Sequence, residues 1–371
     1  MKHLKLLLLL MLTLHGVNSI ANDGVYYTSG NQLIPIVETR ISVKKEILNI
    51  KRVGRDFLVC VYYEMYNPDE ARDLEVGFEA NSPGGEREGS LPLNGRHPYI
   101  YEFTVNMNEV NQDYKVAIVE NDKYYKDGKY ITAEWPKKDN GNADDEIFDF
   151  NYVYHFKAHF KKGLNKIIHT YRFASAGSVE NAYDLDYVLT AAMRWGNKQI
   201  DDFTLNIDVG DFQTLYIDKT FFKSFSDWVL IGKGKSMDKD SSNDYHRNHS
   251  AFYIQKGTLY FHKTNFKTTS ELSLYALWPH AENNWENIDT FNVKTHQLVF
   301  PVNYQPVYAK DETSLKILKN LPYARRGYVF KTKELQDYFS KMSWYSPDPA
   351  YIATLSELTD EEQKWLKELK I

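Results

Sequence analysis

The sequence predicts a mainly β fold: an antiparallel sandwich or barrel-like body over residues 22–305, followed by a small all-α C-terminal domain. Three observations predict it. Residues 148–160 place aromatic or small apolar residues at every even position and, Val153 apart, polar ones at the odd positions, the period-two signature of a half-buried strand. Turn clusters recur at Asn81-Ser-Pro-Gly-Gly85, Leu93-Asn-Gly95, Lys126-Asp-Gly128 and Asp139-Asn-Gly-Asn142, the punctuation of many short strands. Beyond Asp311 the apolar period changes from two to helical.

Taken in order, short strand signals lie at 24–27, 33–37, 47–50, 57–63, 99–105 and 115–119. The 148–160 strand runs into Lys161-Lys-Gly163-Leu-Asn165, and Ile167, Tyr171 and Phe173 then share one face, so a hairpin is expected. Ala191-Ala-Met-Arg-Trp195 reads as a short helix or a strand. Phe203, Leu205, Ile207 and Val209 alternate cleanly, and further strands are expected at 251–254, 258–262, 272–278 and 297–302. The body has room for two subdomains with a break near 180–212. Pro301 and Pro306 in a stretch without helical period mark a boundary, with a linker at 306–314.

Three apolar stripes follow in the helical domain, 315–371: Leu315, Leu318 and Leu321; Leu335, Tyr338 and Phe339; then Leu358, Trp365, Leu366 and Leu369. Thr359-Asp-Glu-Glu362 fits a capping box, Thr332 can cap the second helix, and Gly327 suits the left-handed residue that ends the first. Pro322 removes a backbone donor and is expected to kink or restart that helix.

The chain opens with Met1-Lys-His-Leu-Lys5, an apolar run Leu6–Leu14 and small residues before Ala21. This is the layout of a cleavable export signal over 1–21, too short for the ~20 residues of a membrane span. The expected destination is the periplasm or the medium, with no transmembrane span in the mature chain. The formal charge of −5 becomes −7 once Lys2 and Lys5 leave with the signal, which argues against nucleic acid as a partner. Cys60 is the only cysteine, so no intrachain disulfide can form; its β-branched and aromatic surroundings predict a buried structural thiol.

Most chemical constellations fail at a specific residue. His155 and His159 have zinc-ligand spacing for a helix, but on a strand four residues span ~13 Å. Asp238, Asp240, Ser242 and Asp244 step like calcium ligands, yet Asn243 replaces the central glycine and His249 the bidentate glutamate. Asp144-Asp-Glu146 reads as loop charge. Gly232-Lys-Gly-Lys-Ser236 lacks the first glycine of a phosphate loop, Val229 standing there. No nucleophile motif is present, and no cofactor or metal is expected. Carboxylates are too numerous, at 50, for a catalytic pair to be picked from sequence.

Two candidate binding surfaces remain. In Trp278-Pro-His-Ala-Glu282-Asn-Asn-Trp285 two indoles flank Glu282, Asn283 and Asn284, the makings of a stacking platform for a sugar or peptide; the favoured reading is a loop anchored by its own tryptophans. Arg325 and Arg326 are suited to grip a carboxylate such as those on envelope polymers, although capping the negative end of a helix, at ~0.3–1 kcal/mol each, is preferred.

The stretch Leu315–Phe330, with Tyr323-Ala-Arg-Arg-Gly327 at its centre, Thr332–Phe339 and Trp344-Tyr345 together resemble the YARHG domain, a small module of exported bacterial proteins. The resemblance implies export and no known chemistry. Arg326 stands where the family signature has histidine, so a role for a titrating imidazole does not carry over. Residues 22–211 also resemble an exported bacterial family of unknown function, on Ala21-Asn-Asp-Gly24, Phe156–Phe173, and Tyr187–Trp195 leading into Asp202–Gly210; that likeness implies a β-rich fold and no activity.

The function expected is non-catalytic recognition or scaffolding in the cell envelope or outside the cell, with an envelope glycan, a peptide or another exported protein as partner. The alternative is a carboxylate-dependent hydrolase of an envelope or extracellular polymer.

Overall fold

Alternation writes the strands directly. In residues 151–160 the even side chains Tyr152, Tyr154, Phe156, Ala158 and Phe160 are all buried in one core, while His155, Lys157 and His159 face outward. The computed structural model describes residues 29–81, 92–119, 123–133, 151–239, 248–283 and 288–371; the signal segment 1–21 and the acidic run 144–146 lie outside them.

The strands in chain order are β1 (Ser29–Asn31), β2 (Leu33–Pro35), β3 (Ser42–Val53), β4 (Asp56–Asn67), β5 (Arg72–Asn81), β6 (Ile100–Met107) and β7 (Val110–Asn111). Next come β8 (Lys115–Val119), β9 (Tyr125–Lys126), β10 (Lys129–Tyr130), β11 (Asn151–Phe160), β12 (Gly163–Ala174), β13 (Asn181–Val188) and β14 (Ile200–Asp208). The last are β15 (Gln213–Asp218), β16 (Trp228–Lys239), β17 (His249–Phe266), β18 (Leu272–Leu277), β19 (Thr290–Phe291) and β20 (Tyr308–Ala309). Helices are α1 (Pro279–Asn283), α2 (Glu312–Ala324), α3 (Lys333–Phe339) and α4 (Asp360–Glu368).

Among the described residues the fold is mainly β, 49% strand and 16% helix, and its large sheet is open rather than a closed barrel. That sheet has 12 strands in the order β1-β13-β18-β15-β17-β14-β3-β4-β12-β6-β7, with β16 on the far edge of β17. A second sheet, β2-β5-β11-β8, lies over it. Leu33, Phe78 and Tyr154 from the small sheet share a core with Val61, Tyr171, Phe203 and Leu274 from the large one, which makes a sandwich.

The expected hairpin at 161–165 is not formed. β11 pairs with β5 and β8, whereas β12 pairs with β4 and β6. The chain turns from one sheet to the other here, so both strands face the same core from opposite sides, and period two cannot distinguish that from pairing. Asn165 holds the corner, its side chain bonding Lys161 N and O and Gly163 O at 2.9–3.1 Å.

The strands expected at 251–254 and 258–262 are one strand, β17. Its first half pairs with β15 and its second with β14, while β16 runs along the opposite edge of both halves. Gly257 and its partner Gly232 allow this: a Cβ on Gly232 would stand 2.1 Å from the Lys256 carbonyl oxygen, and one on Gly257 2.2 Å from that of Ile231. The strand expected at 297–302 is absent. Leu298, Val299 and Phe300 are buried coil, apolar because they fill a core, not because they pair. Ala191–Trp195 forms a 3-10 turn, Thr190–Arg194, and the Trp195 indole donates to Leu33 O at 2.9 Å. Cys60 departs from its expected burial: it faces out between Val59 and Val61 and is half-buried.

The helices pack onto the outer face of the large sheet. Tyr216, Ala251, Tyr253 and Tyr275 from β15, β17 and β18 belong to the same core as Ile317, Leu318, Leu321, Phe339 and Trp344. Residues 249–254 of β17 are accordingly buried on both faces. The Thr359–Glu362 capping box forms, Gly327 is left-handed at φ 86°, and Pro322 sits inside a helix that continues to Ala324. Thr332 stands at the N-cap of α3 without a capping side-chain bond.

Two titratable groups lie deep in the sandwich. Burial pushes the Glu46 carboxyl up to about 8, although Gln32 Nε2 donates to it at 2.6 Å. Burial pushes the His169 imidazole down to about 3; it sits among Tyr63, Phe78, Phe103 and Tyr171 with neither nitrogen hydrogen-bonded. Folded Glu46 keeps a proton that the unfolded chain releases above about 4.5, so stability falls as pH rises from there to about 8. Unfolded His169 takes up a proton that the folded chain refuses, so stability falls as pH drops from about 6.5 to about 3. Each slope approaches ~1.4 kcal/mol per pH unit. Thermal melts of the wild type and of each variant from pH 3 to 9 separate the two contributions, which oppose each other between about 4.5 and 6.5. Glu46→Gln should flatten the alkaline side and His169→Phe the acid side; unchanged slopes in those variants would refute the assignment.

Removing residues 303–371 should destabilise the β body by several kcal/mol, because it uncovers Tyr216, Tyr253 and Tyr275 at ~1.5–3 kcal/mol per large apolar side chain. Urea unfolding of the truncated chain with an unaltered midpoint would contradict the shared core.

Candidate functional site

The densest charge in the helical domain is assembled by two helix ends. α2 stops at Ala324 because Gly327 turns the chain left-handed, and Gly327 N and Tyr328 N donate back to Ala324 O and Tyr323 O. That leaves Arg325 and Arg326 on the last turn. The capping box of α4 fixes Glu362, whose carboxylate accepts Thr359 N at 2.9 Å. Arg326 meets this carboxylate with both terminal nitrogens, each at 2.7 Å, and Arg325 Nη1 reaches it at 3.1 Å.

Arg326 also donates to Pro322 O at 2.8 Å and Glu357 O at 3.0 Å. It therefore closes the C-terminal end of α2 as well as pairing. Both guanidiniums lie over the ring of Phe212, at 3.9 Å for Arg325 and 4.5 Å for Arg326, and Phe212 comes from the turn between β14 and β15. All three charged side chains are less than 10% exposed. Burial lowers the pKa of Arg325 against the opposing pull of Glu362, and its Nε has no hydrogen-bond partner.

Arg325 and Arg326 line a cleft of about 290 Å³ between this domain and the β16–β17 hairpin. Across from them stand Gly232, Lys233, Gly234 and Lys235, with Tyr253, Phe300 and Trp344 as aromatic wall. Asp348 is the one acid among the lining residues; it lies 3.7 Å from Lys233 Nζ. Lys235 Nζ donates to Tyr345 O at 3.2 Å, and burial lowers its pKa. The stretch set aside as a broken phosphate loop is thus an exposed strand, and its lysines join the arginines from 90 residues further along the chain. Alternating Gly and Lys was the signal that would have found them.

The second candidate surface lies elsewhere. Trp278 Nε1 donates to Ser178 O at 3.1 Å, and its ring packs on Tyr304 at 5.4 Å. Glu282 and Asn283 end α1; burial raises the Glu282 carboxyl pKa, opposed by Lys239 and by a bond from Tyr216. Asn284 and Trp285 lie outside the described residues. No described contact joins this group to Arg325 or Arg326.

The histidine pair 155/159 divides between separate partners, Glu75 at 2.6 Å and Asp73 at 2.7 Å. Of the calcium-like set, Asp238 accepts from Phe225 N and Ser250 Oγ, and residues 240–247 lie outside the described ones. Among the described residues no group of three or more potential ligands could hold a metal. Carboxylates with raised pKa do gather on the outer face of β13 and β15: burial takes Asp184 and Asp218 to about 6, each helped by the charge of Asp186.

Residues 303–371 match the YARHG domain. The YARHG domain thus begins earlier than the helical period alone indicates, taking in the 3-10 turn Val302–Tyr304 in part and β20. No curated protein matches the chain. Among solved structures, a Legionella pneumophila protein provisionally titled a nutrient binding protein is similar at 16% identity, with a TM-score of 0.48, over 94% of this chain and 99% of its own. No described helix is long and apolar enough to cross a membrane.

Glu362→Gln leaves two buried guanidiniums without their carboxylate and should cost ~3–5 kcal/mol in chemical denaturation. The neighbouring, exposed Glu361→Gln should cost under ~1 kcal/mol. Equal losses would remove the cluster from its structural role.

Proposed function

We propose that this chain is an exported, non-catalytic recognition protein of the cell envelope or extracellular space, and that the cleft between β16 and the YARHG domain takes a carboxylate-bearing ligand. The observation that carries the reading is the charge imbalance of the cleft: Lys233, Lys235, Arg325 and Arg326 against Asp348, with Glu362 behind them. Fixed cations beside an aromatic wall recognise an anion with an organic body. Arg326 and Arg325 are both paired with Glu362, so they position the site and lend it charge, and Lys233 and Lys235 on β16 are the cations that meet the ligand. The basic, apolar N-terminal segment and the YARHG domain support export. Trp278 and Glu282 are engaged within the fold, which favours the cleft over the tryptophan loop.

The hydrolase reading draws on one observation, the raised carboxylates Asp184 and Asp218 beside Asp186. The two readings separate in one experiment. Calorimetric titration of the full chain with oligouronates and acidic peptidoglycan fragments at low salt should show binding that weakens at least tenfold in Lys235→Gln and Lys233→Glu, without consumption of the polymer. Undiminished binding in both variants would move the site elsewhere, and turnover abolished by Asp218→Asn would establish the hydrolase instead.

A further inference from the structure

Resting on the cleft as an anion site, we infer that its ligand is an acidic peptide that enters extended and adds as a strand to the free edge of β16. The mouth of the cleft is built from backbone. β16 pairs along its length with β17, and among the described residues no strand lies on its other edge. Gly232, Lys233 and Gly234 are exposed and line the cleft; the two glycines carry no side chain that could screen the edge. The register shift between Lys233 and Gly234 bends this edge without closing it, and backbone N–H and C=O groups on an open edge match an extended polypeptide and not a sugar chain.

The side chains along this edge point to the same occupant. Val229 and Ile231 are 54% and 58% exposed on a strand paired along one edge only, an arrangement that invites a partner. Further along, Lys233 and Lys235 meet Arg325 on the other wall, so acidic side chains or a terminal carboxylate at one end of the peptide would be neutralised while its apolar residues lie beside Val229 and Ile231. A second copy of this chain fits poorly. Antiparallel pairing of two β16 edges about Gly234 would bring Lys233 and Lys235 of each copy against those of the other, and like charges directly opposite are destabilising.

The test uses the full chain and three fluorescent probes: the hexapeptide Val-Glu-Val-Glu-Val-Asp with a free C-terminus, the same peptide N-methylated at alternate residues, and a uronic acid hexamer. The peptide should bind, N-methylation should weaken it at least tenfold with charge unchanged, and amide exchange should slow at residues 232–235. Lys235→Gln should weaken the peptide as well. Equal binding of both peptides, or binding of the hexamer alone, would overturn strand addition and leave carboxylate recognition standing. Binding of no probe would overturn both. A concentration-dependent dimer lost in Ile231→Lys would replace the peptide by a second copy.

Discussion

A patch of sheet with no solvent side governs this structure. From His249 to Ile254 every residue of β17 is buried, Phe252 and Ile254 facing the sandwich and Ala251 and Tyr253 facing the helices. A strand half-exposed on one face can end a domain; one covered on both must have something laid over it. The helical domain is that cover. Its three α-helices are too short to stand alone, and they borrow Tyr216, Tyr253 and Tyr275 as part of their core. The cleft lies where the cover meets β16, touching it through Met237, Lys235 and Lys233.

The arginine–glutamate cluster follows from the same junction. Two cations and one anion removed from water gain little net stability over an apolar packing, but they fix how helix ends meet. Glu362 binds α4 to the end of α2, and Phe212 from the β body stacks under both guanidiniums. One electrostatic group therefore sets the position of two helices and of the sheet turn beneath them.

What the residues reveal on their own is local. Period two located β11, β12 and β14, the switch to helical period located α2 to α4, and the capping box of α4 was legible at Thr359 and Glu362. Partnership was not. β11 and β12 are adjacent in sequence and belong to opposite sheets, and Leu298–Phe300 look like a strand because both strands and buried coil select apolar side chains. β5, with Gly77 and charged neighbours, and β16, exposed and rich in Gly and Lys, carry too little apolar signal to be read as strands. The site was half legible: Arg325 and Arg326 stood out by motif, whereas Lys233 and Lys235 acquire meaning through a fold that brings them across the cleft.

Strand β3 pairs in parallel with β14, so Asn49 bonds Asn206 across 157 residues, and Trp195 caps Leu33 across 162. Loops of that length must close before these bonds repay the lost chain entropy. Such a chain collapses late and slowly, on the millisecond-to-second scale of non-local β topologies. Until residues beyond Ile200 have emerged, β3 lacks its parallel partner β14, whereas β1, β2 and β4 find theirs before that point, and one edge of β3 waits open for a strand made 157 residues later.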